Sequence, residues 1–204
     1  MKFNAHTVMK NIFFQGANYL EPTKYEEQYN NEICERENEE IKRIINSNID
    51  SDINLLITDI GCGTGLGSDL LDERHQYVGV DRSQKSIEYC RKHKKRGTFI
   101  KANAENIVKE VKKINPIFIF SIDYLSVKTI SEFIKKTDKI FIAVHYNKPY
   151  LSQTSVYSGR SWLYRLIHPK RKRNAMYALF ERHNAKTFKL LDEDYYYVTI
   201  IKKD

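Results

Sequence analysis

The segment LLITDIGCGTGLG, Leu55 to Gly67, constrains the fold more than any other part of the chain. An apolar run ends on an acid, and four glycines then occupy every second position. The apolar run predicts a buried strand, and the glycines predict a tight strand-to-helix turn, because glycine adopts left-handed backbone freely. Further strands are predicted at QYVGVD, GTFIKA, PIFIFSID and KIFIAVH, with helical patterns between most of them. This alternation favours a parallel sheet covered by helices.

Two flanking pieces complete the predicted fold. Upstream, apolar residues at helical spacing in a charged segment predict an amphipathic helix: Tyr29, Ile33, Ile41, Ile44 and Ile45. Downstream, KTFKLLDEDYYYVTII predicts two strands joined by an acidic turn, which form an antiparallel hairpin. A short helix around Met176 and Phe180 precedes it, and the aromatic and basic segment 146–173 has no sustained period. We interpret that segment as an insertion.

Composition predicts one globular domain. The 204 residues are 41% hydrophobic and 29% charged, and no linker or repeat divides them. Neither a long apolar run nor a secretory signal is present, so we expect a cytoplasmic protein without a membrane span. The three cysteines form no CxxC pair and are expected to be reduced thiols, and the six histidines are too scattered to predict a metal site.

The glycine turn matches neither of two common phosphate-binding patterns. Counted from Gly61, the GxGxxG frame fails at Leu66, and counted from Gly63 it fails at Ser68. No Gly-Lys-Ser/Thr follows, so the Walker pattern also fails. A phosphate cradle is therefore not predicted.

The sequence DIGCGTG, Asp59 to Gly65, instead resembles motif I of class I S-adenosylmethionine-dependent methyltransferases. The resemblance implies that bare backbone contacts the methionine half of the cofactor, with the Asp59 carboxylate beneath it. Asp81 ends YVGVD and resembles motif II, in which an acid binds the ribose hydroxyls. FIKANAENI resembles the third motif, although Asn103 stands where an acid is usual; an asparagine can still accept from the adenine amino group.

This resemblance covers about Tyr25 to Val144 and implies S-adenosylmethionine as the cofactor, with S-adenosylhomocysteine as its product. It implies an α/β, Rossmann-like seven-stranded, mostly parallel sheet flanked by helices, with an antiparallel C-terminal hairpin. Within one methyltransferase domain, 1–204, we expect an N-terminal helical lid region (1–50), a cofactor-binding core (54–145), an acceptor-side insertion (146–175) and a closing helix with the hairpin (176–204). The implied cofactor-binding residues are Tyr25, Tyr29, Asp59, Gly61, Cys62, Gly63, Gly65, Asp81, Arg82, Asn103, Ala104, Glu105 and Ser121.

Methyl transfer from a sulfonium is an in-line displacement, so positioning supplies most of the rate and a dedicated base is optional. Asp123 and His145, at predicted strand tips, are the first candidates for accepting a proton from the acceptor; the alternative is that they only shape its pocket. Aromatic side chains suit a small organic acceptor, and the candidate acceptor-binding residues are Tyr124, Tyr146, Tyr157 and Trp162.

Three functions stay open at this point. Methylation of a small organic molecule is favoured, because the fourth-strand loop lacks the Pro-Pro-aromatic sequence of nucleic-acid amino methyltransferases and no cysteine follows a proline. The net charge of +8 supports RNA as an alternative acceptor, bound through Lys170, Arg171, Lys172 and Arg173. The third reading is a non-catalytic, methyltransferase-like binding subunit.

Overall fold

The computed structural model describes residues 32–94, 96–146, 162–190 and 196–203, and the statements below concern these residues. For residues 32–34, 146 and 162–170 only the backbone is described. The helices are α1 (Glu32–Ser47), α2 (Leu66–Leu70), α3 (Gln84–His93), α4 (Ala104–Glu110), α5 (Val127–Lys136) and α6 (Trp162–Arg182). The strands are β1 (Leu56–Ile60), β2 (Gln76–Asp81), β3 (Thr98–Lys101), β4 (Asn115–Ile119), β5 (Ile140–Tyr146), β6 (Lys186–Lys189) and β7 (Tyr196–Lys202).

The seven strands form one sheet in the order β3-β2-β1-β4-β5-β7-β6. Strands β1 to β5 are parallel to one another, whereas β7 is antiparallel to both β5 and β6. The predicted fold class is therefore confirmed, including the C-terminal hairpin. Because the first five strands run in one direction, their carboxyl ends meet at one side of the sheet, which we call the carboxyl edge.

Alternating side chains of the strands build a separate core on each face of the sheet. On one face, Ile117 and Ile142 pack with Ile41 of α1 and Ile87 of α3. On the other face, Phe118 packs with Phe133 of α5 at a ring-centroid distance of 5.3 Å, and Phe141 packs with Phe180 of α6 at 6.0 Å. Both faces are buried, which explains why the strands appear in the sequence as continuous apolar runs.

Helix α3 confirms the details predicted for its segment. The Ser83 hydroxyl accepts from the Ser86 backbone N–H at 3.3 Å and so caps the N-terminus of the helix. Ile87 and Cys90 are fully buried, as the apolar spacing predicts. The first turn after β2 is thereby set firmly against the sheet.

Two predicted element bounds were wrong. Strand β4 ends at Ile119, and Phe120 then adopts a left-handed backbone with φ 56°, followed by a short 3-10 helix at Ile122–Tyr124. Helix α6 begins at Trp162, inside the segment interpreted as an aperiodic insertion, and not near Met176. Pro169 and the surrounding basic run interrupt the apolar period of α6, and proline inside a helix normally predicts its end. Among the described residues, no helix is both long and apolar enough to cross a bilayer.

Candidate active site

The glycine turn after β1 is tied to the end of β2 by backbone hydrogen bonds. Gly61, Gly63 and Gly65 have φ values of 76°, 54° and 84°, so left-handed backbone recurs at every second residue. The N–H groups of Gly61 and Cys62 both donate to the Val80 carbonyl, at 2.7 Å and 3.0 Å. This geometry explains the glycine spacing, because other residues adopt positive φ only with strain.

The glycines of this segment differ in what surrounds them. A Cβ on Gly61 would lie 2.7 Å from the Ser121 Cβ, and a Cβ on Gly67 would lie 2.3 Å from Asp59 Oδ2. A Cβ on Gly63 would meet nothing within 4 Å. Gly61 and Gly67 are therefore required by close packing, whereas the space that a Gly63 side chain would occupy is open.

Asp59 lies beneath the turn and is fully buried. The Tyr77 hydroxyl donates to Asp59 Oδ2 at 2.7 Å, while Asp59 Oδ1 has no hydrogen-bond partner within the described parts of the chain. Burial raises the pKa of the Asp59 carboxyl to about 7; the Tyr77 hydrogen bond opposes this rise and the nearby Asp81 charge adds to it. Asp59 thus supports the turn from below, and Tyr77 is a partner that no sequence pattern pointed to.

The Asp81 carboxylate joins the glycine turn to the start of α3. Its Oδ2 accepts from the Gly63 N–H at 3.0 Å, and its Oδ1 accepts from the Ser83 N–H at 2.7 Å. The side chain is partly exposed. A carboxylate has about four acceptor positions, so two stay available for hydroxyl donors.

Two buried thiols pack under the same turn. The Cys90 thiol donates to the Gly63 carbonyl at 3.3 Å, and both Cys62 and Cys90 are free cysteines. The hydrogen bond with Cys90, together with burial, raises the pKa of the Cys62 thiol well above its usual value. Cys62 is therefore a protonated packing residue of the turn in this structure.

The remaining implied cofactor residues lie at the carboxyl edge beyond the ends of β2, β3 and β4. Arg82, Asn103 and Glu105 are exposed, and Ala104 is partly buried at the start of α4. The Ser121 hydroxyl donates to the Ile60 carbonyl and so links the β4 loop to the turn after β1. Tyr25 and Tyr29, predicted as lid residues, lie outside the described residues.

Asp123 lies in the 3-10 helix after β4 and contacts α6. Its Oδ1 is 3.9 Å from the Arg173 Nη2, and the two side chains are 10% and 7% exposed. The Lys172 ammonium donates to the Asp123 backbone carbonyl. Asp123 and Arg173 thus form a buried ion pair between the 3-10 helix and α6.

His145 is fully buried near the end of β5, between β7 and α6. Its Nε2 lies 2.8 Å from Thr199 Oγ1, and its ring lies 5.9 Å from the rings of both Tyr177 and Phe180. A ring without accessible surface does not favour the predicted role of accepting a proton from an acceptor. The geometry instead favours the alternative, hydrogen bonding and packing.

Of the predicted acceptor residues, only the Tyr124 side chain is described, and it is 51% exposed. Tyr157 lies outside the described residues, as do the side chains of Tyr146, Trp162 and Lys170. Arg171 is exposed, but Lys172 donates to the Asp123 carbonyl and Arg173 is buried beside the Asp123 carboxylate. The basic cluster therefore does not form one free surface, and an RNA partner is not supported.

Comparison with known proteins agrees with this geometry. A family model described as a methyltransferase domain matches residues 57–141, which span the glycine turn, Asp81 and strands β1 to β4. No curated protein matches the chain. Among solved structures, the plantazolicin methyltransferase in complex with SAH aligns with a TM-score of 0.64 and 13% identity, over 98% of this chain and 97% of that one. The magnesium protoporphyrin IX methyltransferase from Synechocystis PCC 6803 with bound SAM aligns with a TM-score of 0.59 and 12% identity, over 99% and 98%.

At such low identities the structural alignments show only that the fold is shared. The family model provides a separate sequence match, which includes the glycine turn and the second strand. The strand order, the left-handed glycines after β1 and the acid at the end of β2 lie where the resemblance of the sequence implies them. Residues 57–141 match the methyltransferase domain family, and the chain has the fold of S-adenosylmethionine-dependent methyltransferases.

Proposed function

We propose that this chain transfers the methyl group of S-adenosylmethionine to a small organic acceptor at the carboxyl edge of its sheet. The observation that carries the proposal is the glycine turn, in which open space lies at the Cβ position of Gly63 while Asp81 accepts from its N–H. The orphaned Asp59 Oδ1 directly beneath is a second feature that suits a cationic group. Bound S-adenosylmethionine supplies an electrophilic methyl group on a sulfonium.

The residues of the carboxyl edge have separate roles in this proposal. The Gly61 to Gly65 backbone holds the amino-acid half of the cofactor, and Asp81 binds the ribose hydroxyls through its remaining acceptor positions. Asn103 and its neighbours Ala104 and Glu105 border the adenine. Tyr25 and Tyr29 stay predicted lid residues.

Catalysis is proposed to rest on positioning and not on a dedicated base. Asp123 is buried beside Arg173, and His145 is buried against Thr199, so neither side chain is open to an acceptor. Holding donor and acceptor in near-attack geometry supplies a large part of the rate in such displacements. Tyr124, exposed beside Asp123, is the described residue best placed to contact the acceptor, and Tyr146, Tyr157 and Trp162 stay predictions.

A small acceptor is favoured over RNA for two reasons. Lys172 and Arg173 are engaged with Asp123, which removes half of the predicted RNA-binding cluster. Two structural neighbours, a plantazolicin methyltransferase and a magnesium protoporphyrin IX methyltransferase, are named for acceptors that are not nucleic acids.

Calorimetric titration with S-adenosylmethionine and S-adenosylhomocysteine tests the proposal. We expect saturable one-to-one binding of both, and we expect Asp81→Ala to weaken it about tenfold or more, because charged hydrogen bonds are lost. Asp69→Ala is the matched control, since its side chain is 57% exposed on α2 and pairs with Lys94. Folded protein that binds neither molecule contradicts the proposal; binding without turnover over a broad panel of phenols and amines indicates the non-catalytic subunit instead.

A further inference from the structure

A buried cluster of charged side chains lies between the 3-10 helix of the carboxyl edge and α6. It consists of Asp123, Lys172, Arg173 and the neighbouring Tyr177, and we call it the α6 cluster. The Asp123 and Arg173 side chains are 10% and 7% exposed. Two cations face one carboxylate, so the cluster carries one positive charge in excess. Buried charge is costly unless it is paired, so this excess favours the binding of one further anion.

Several polar atoms of the α6 cluster have no hydrogen-bond partner within the described parts of the chain. They are Asp123 Oδ2, Arg173 Nε, Arg173 Nη1 and the Tyr177 hydroxyl. The 3.9 Å separation of Arg173 Nη2 from Asp123 Oδ1 is also too long for a hydrogen bond. Buried donors are normally bonded, and here a guanidinium and a phenol of the same helix have donors that no described residue accepts.

The positive charge of Lys172 is also affected by burial and by its charged neighbours. Burial lowers the pKa of Lys172, the Asp123 charge raises it, and the Arg173 charge lowers it further. An anion placed beside Lys172 and Arg173 would stabilise both cations. Lys172 and Tyr177 are partly exposed, so the cluster reaches the surface of the described structure at these two side chains.

We propose that the α6 cluster binds a carboxylate of the methyl acceptor, with Arg173 as the main donor and Lys172 and Tyr177 beside it. The single excess charge matches a monoanion, and the planar guanidinium fork matches the two oxygens of a carboxylate. Asp123 follows Ser121, which packs against Gly61, so a carboxylate held here directs the rest of the acceptor toward the glycine turn. The inference rests on the proposed function and specifies its substrate class.

Arginine side-chain NMR on the wild-type protein tests this site directly. With ¹⁵N-arginine-labelled protein saturated with S-adenosylhomocysteine, we expect the Arg173 Nε–H signal to shift saturably on titration with benzoate and to stay in place with benzamide, which is isosteric but neutral. Arg173→Lys removes and thereby assigns the signal. An Arg173 signal that benzoate leaves unmoved overturns the proposal, and a tighter response to inorganic phosphate than to benzoate overturns the assignment to a carboxylate.

Affinity measurements separate the site from general charge effects. Arg173→Gln should weaken benzoate binding about tenfold or more, which is the scale of a lost charge-assisted hydrogen bond. Arg171→Gln removes the same charge from an exposed position of the same helix and should leave the affinity within about twofold. Equal losses in both variants contradict a specific site. If Arg173→Gln fails to fold, the benzoate titration of the wild-type protein still tests the site. If S-adenosylhomocysteine does not bind to the wild-type protein, that result contradicts the proposed function as a whole.

Discussion

Asp59 is a carboxyl whose surroundings make the stability of the whole chain depend on pH. With a pKa of about 7 in the folded state, it holds a proton that the unfolded chain releases above about pH 4. Because the folded state then binds more protons than the unfolded state, the Asp59 contribution to stability is lost as pH rises from about 4 to about 7. Above that range the Asp59 carboxylate is ionised in both states, and the free-energy cost of burying its charge no longer changes with pH.

Asp59→Asn should remove this cost while keeping an acceptor for the Tyr77 hydroxyl. We expect the free energy of unfolding of the variant, minus that of the wild type, to increase between pH 5 and pH 8, by at most about 3 kcal/mol. Urea unfolding of both proteins at each pH measures it, and the difference cancels carboxyl groups common to both. A difference that does not change with pH would contradict the raised pKa.

The glycine turn, as an element, separates requirements of folding from requirements of binding. Gly67→Ala places a Cβ 2.3 Å from Asp59 Oδ2, and should lower the free energy of unfolding by about 1–3 kcal/mol through overpacking. Gly63→Ala meets no atom within 4 Å and should cost only its left-handed backbone, about 1–2 kcal/mol. Its main effect is expected on affinity for S-adenosylhomocysteine, since the added methyl group enters the proposed cofactor space.

Urea unfolding and calorimetric titration of both variants check this contrast. Gly63→Ala should lose more affinity per unit of stability lost than Gly67→Ala does. If both variants lose stability but bind S-adenosylhomocysteine as tightly as the wild type, the open space at Gly63 is not the cofactor site.

How far the sequence predicts an element depends on whether its pattern is local. β1, β2, β5 and the Ser83 cap were predicted because apolar runs and short polar motifs specify them directly. The left-handed Phe120 was not, since its backbone is held by a distant bond from its N–H to the Val144 carbonyl. Helix α6 was missed over its first two-thirds, and with it the pairing of Arg173 with Asp123, because contacts fifty residues apart leave no periodic signal.

At the scale of the whole molecule, β7 holds the sheet together although it is last among the strands. All seven of its residues pair with β5 on one side, and Tyr197 to Ile200 pair with β6 on the other. A chain ended before Tyr196 should therefore lose the partner of β5 and the attachment of β6 together. We expect no cooperative thermal transition in circular dichroism, whereas a chain ended after Lys202 should melt like the full one. A cooperative transition in the shorter chain would contradict this role of β7.

This position of β7 also sets an order in time. During synthesis on the ribosome, β1 to β5 and then β6 emerge while the outer edge of β5 still lacks the strand that covers it. An uncovered edge of this kind invites pairing with other chains. The nascent chain therefore passes through an interval in which its first five strands can assemble but present an open edge, and rapid completion of translation, or a chaperone bound at that edge, should raise the yield of folded protein.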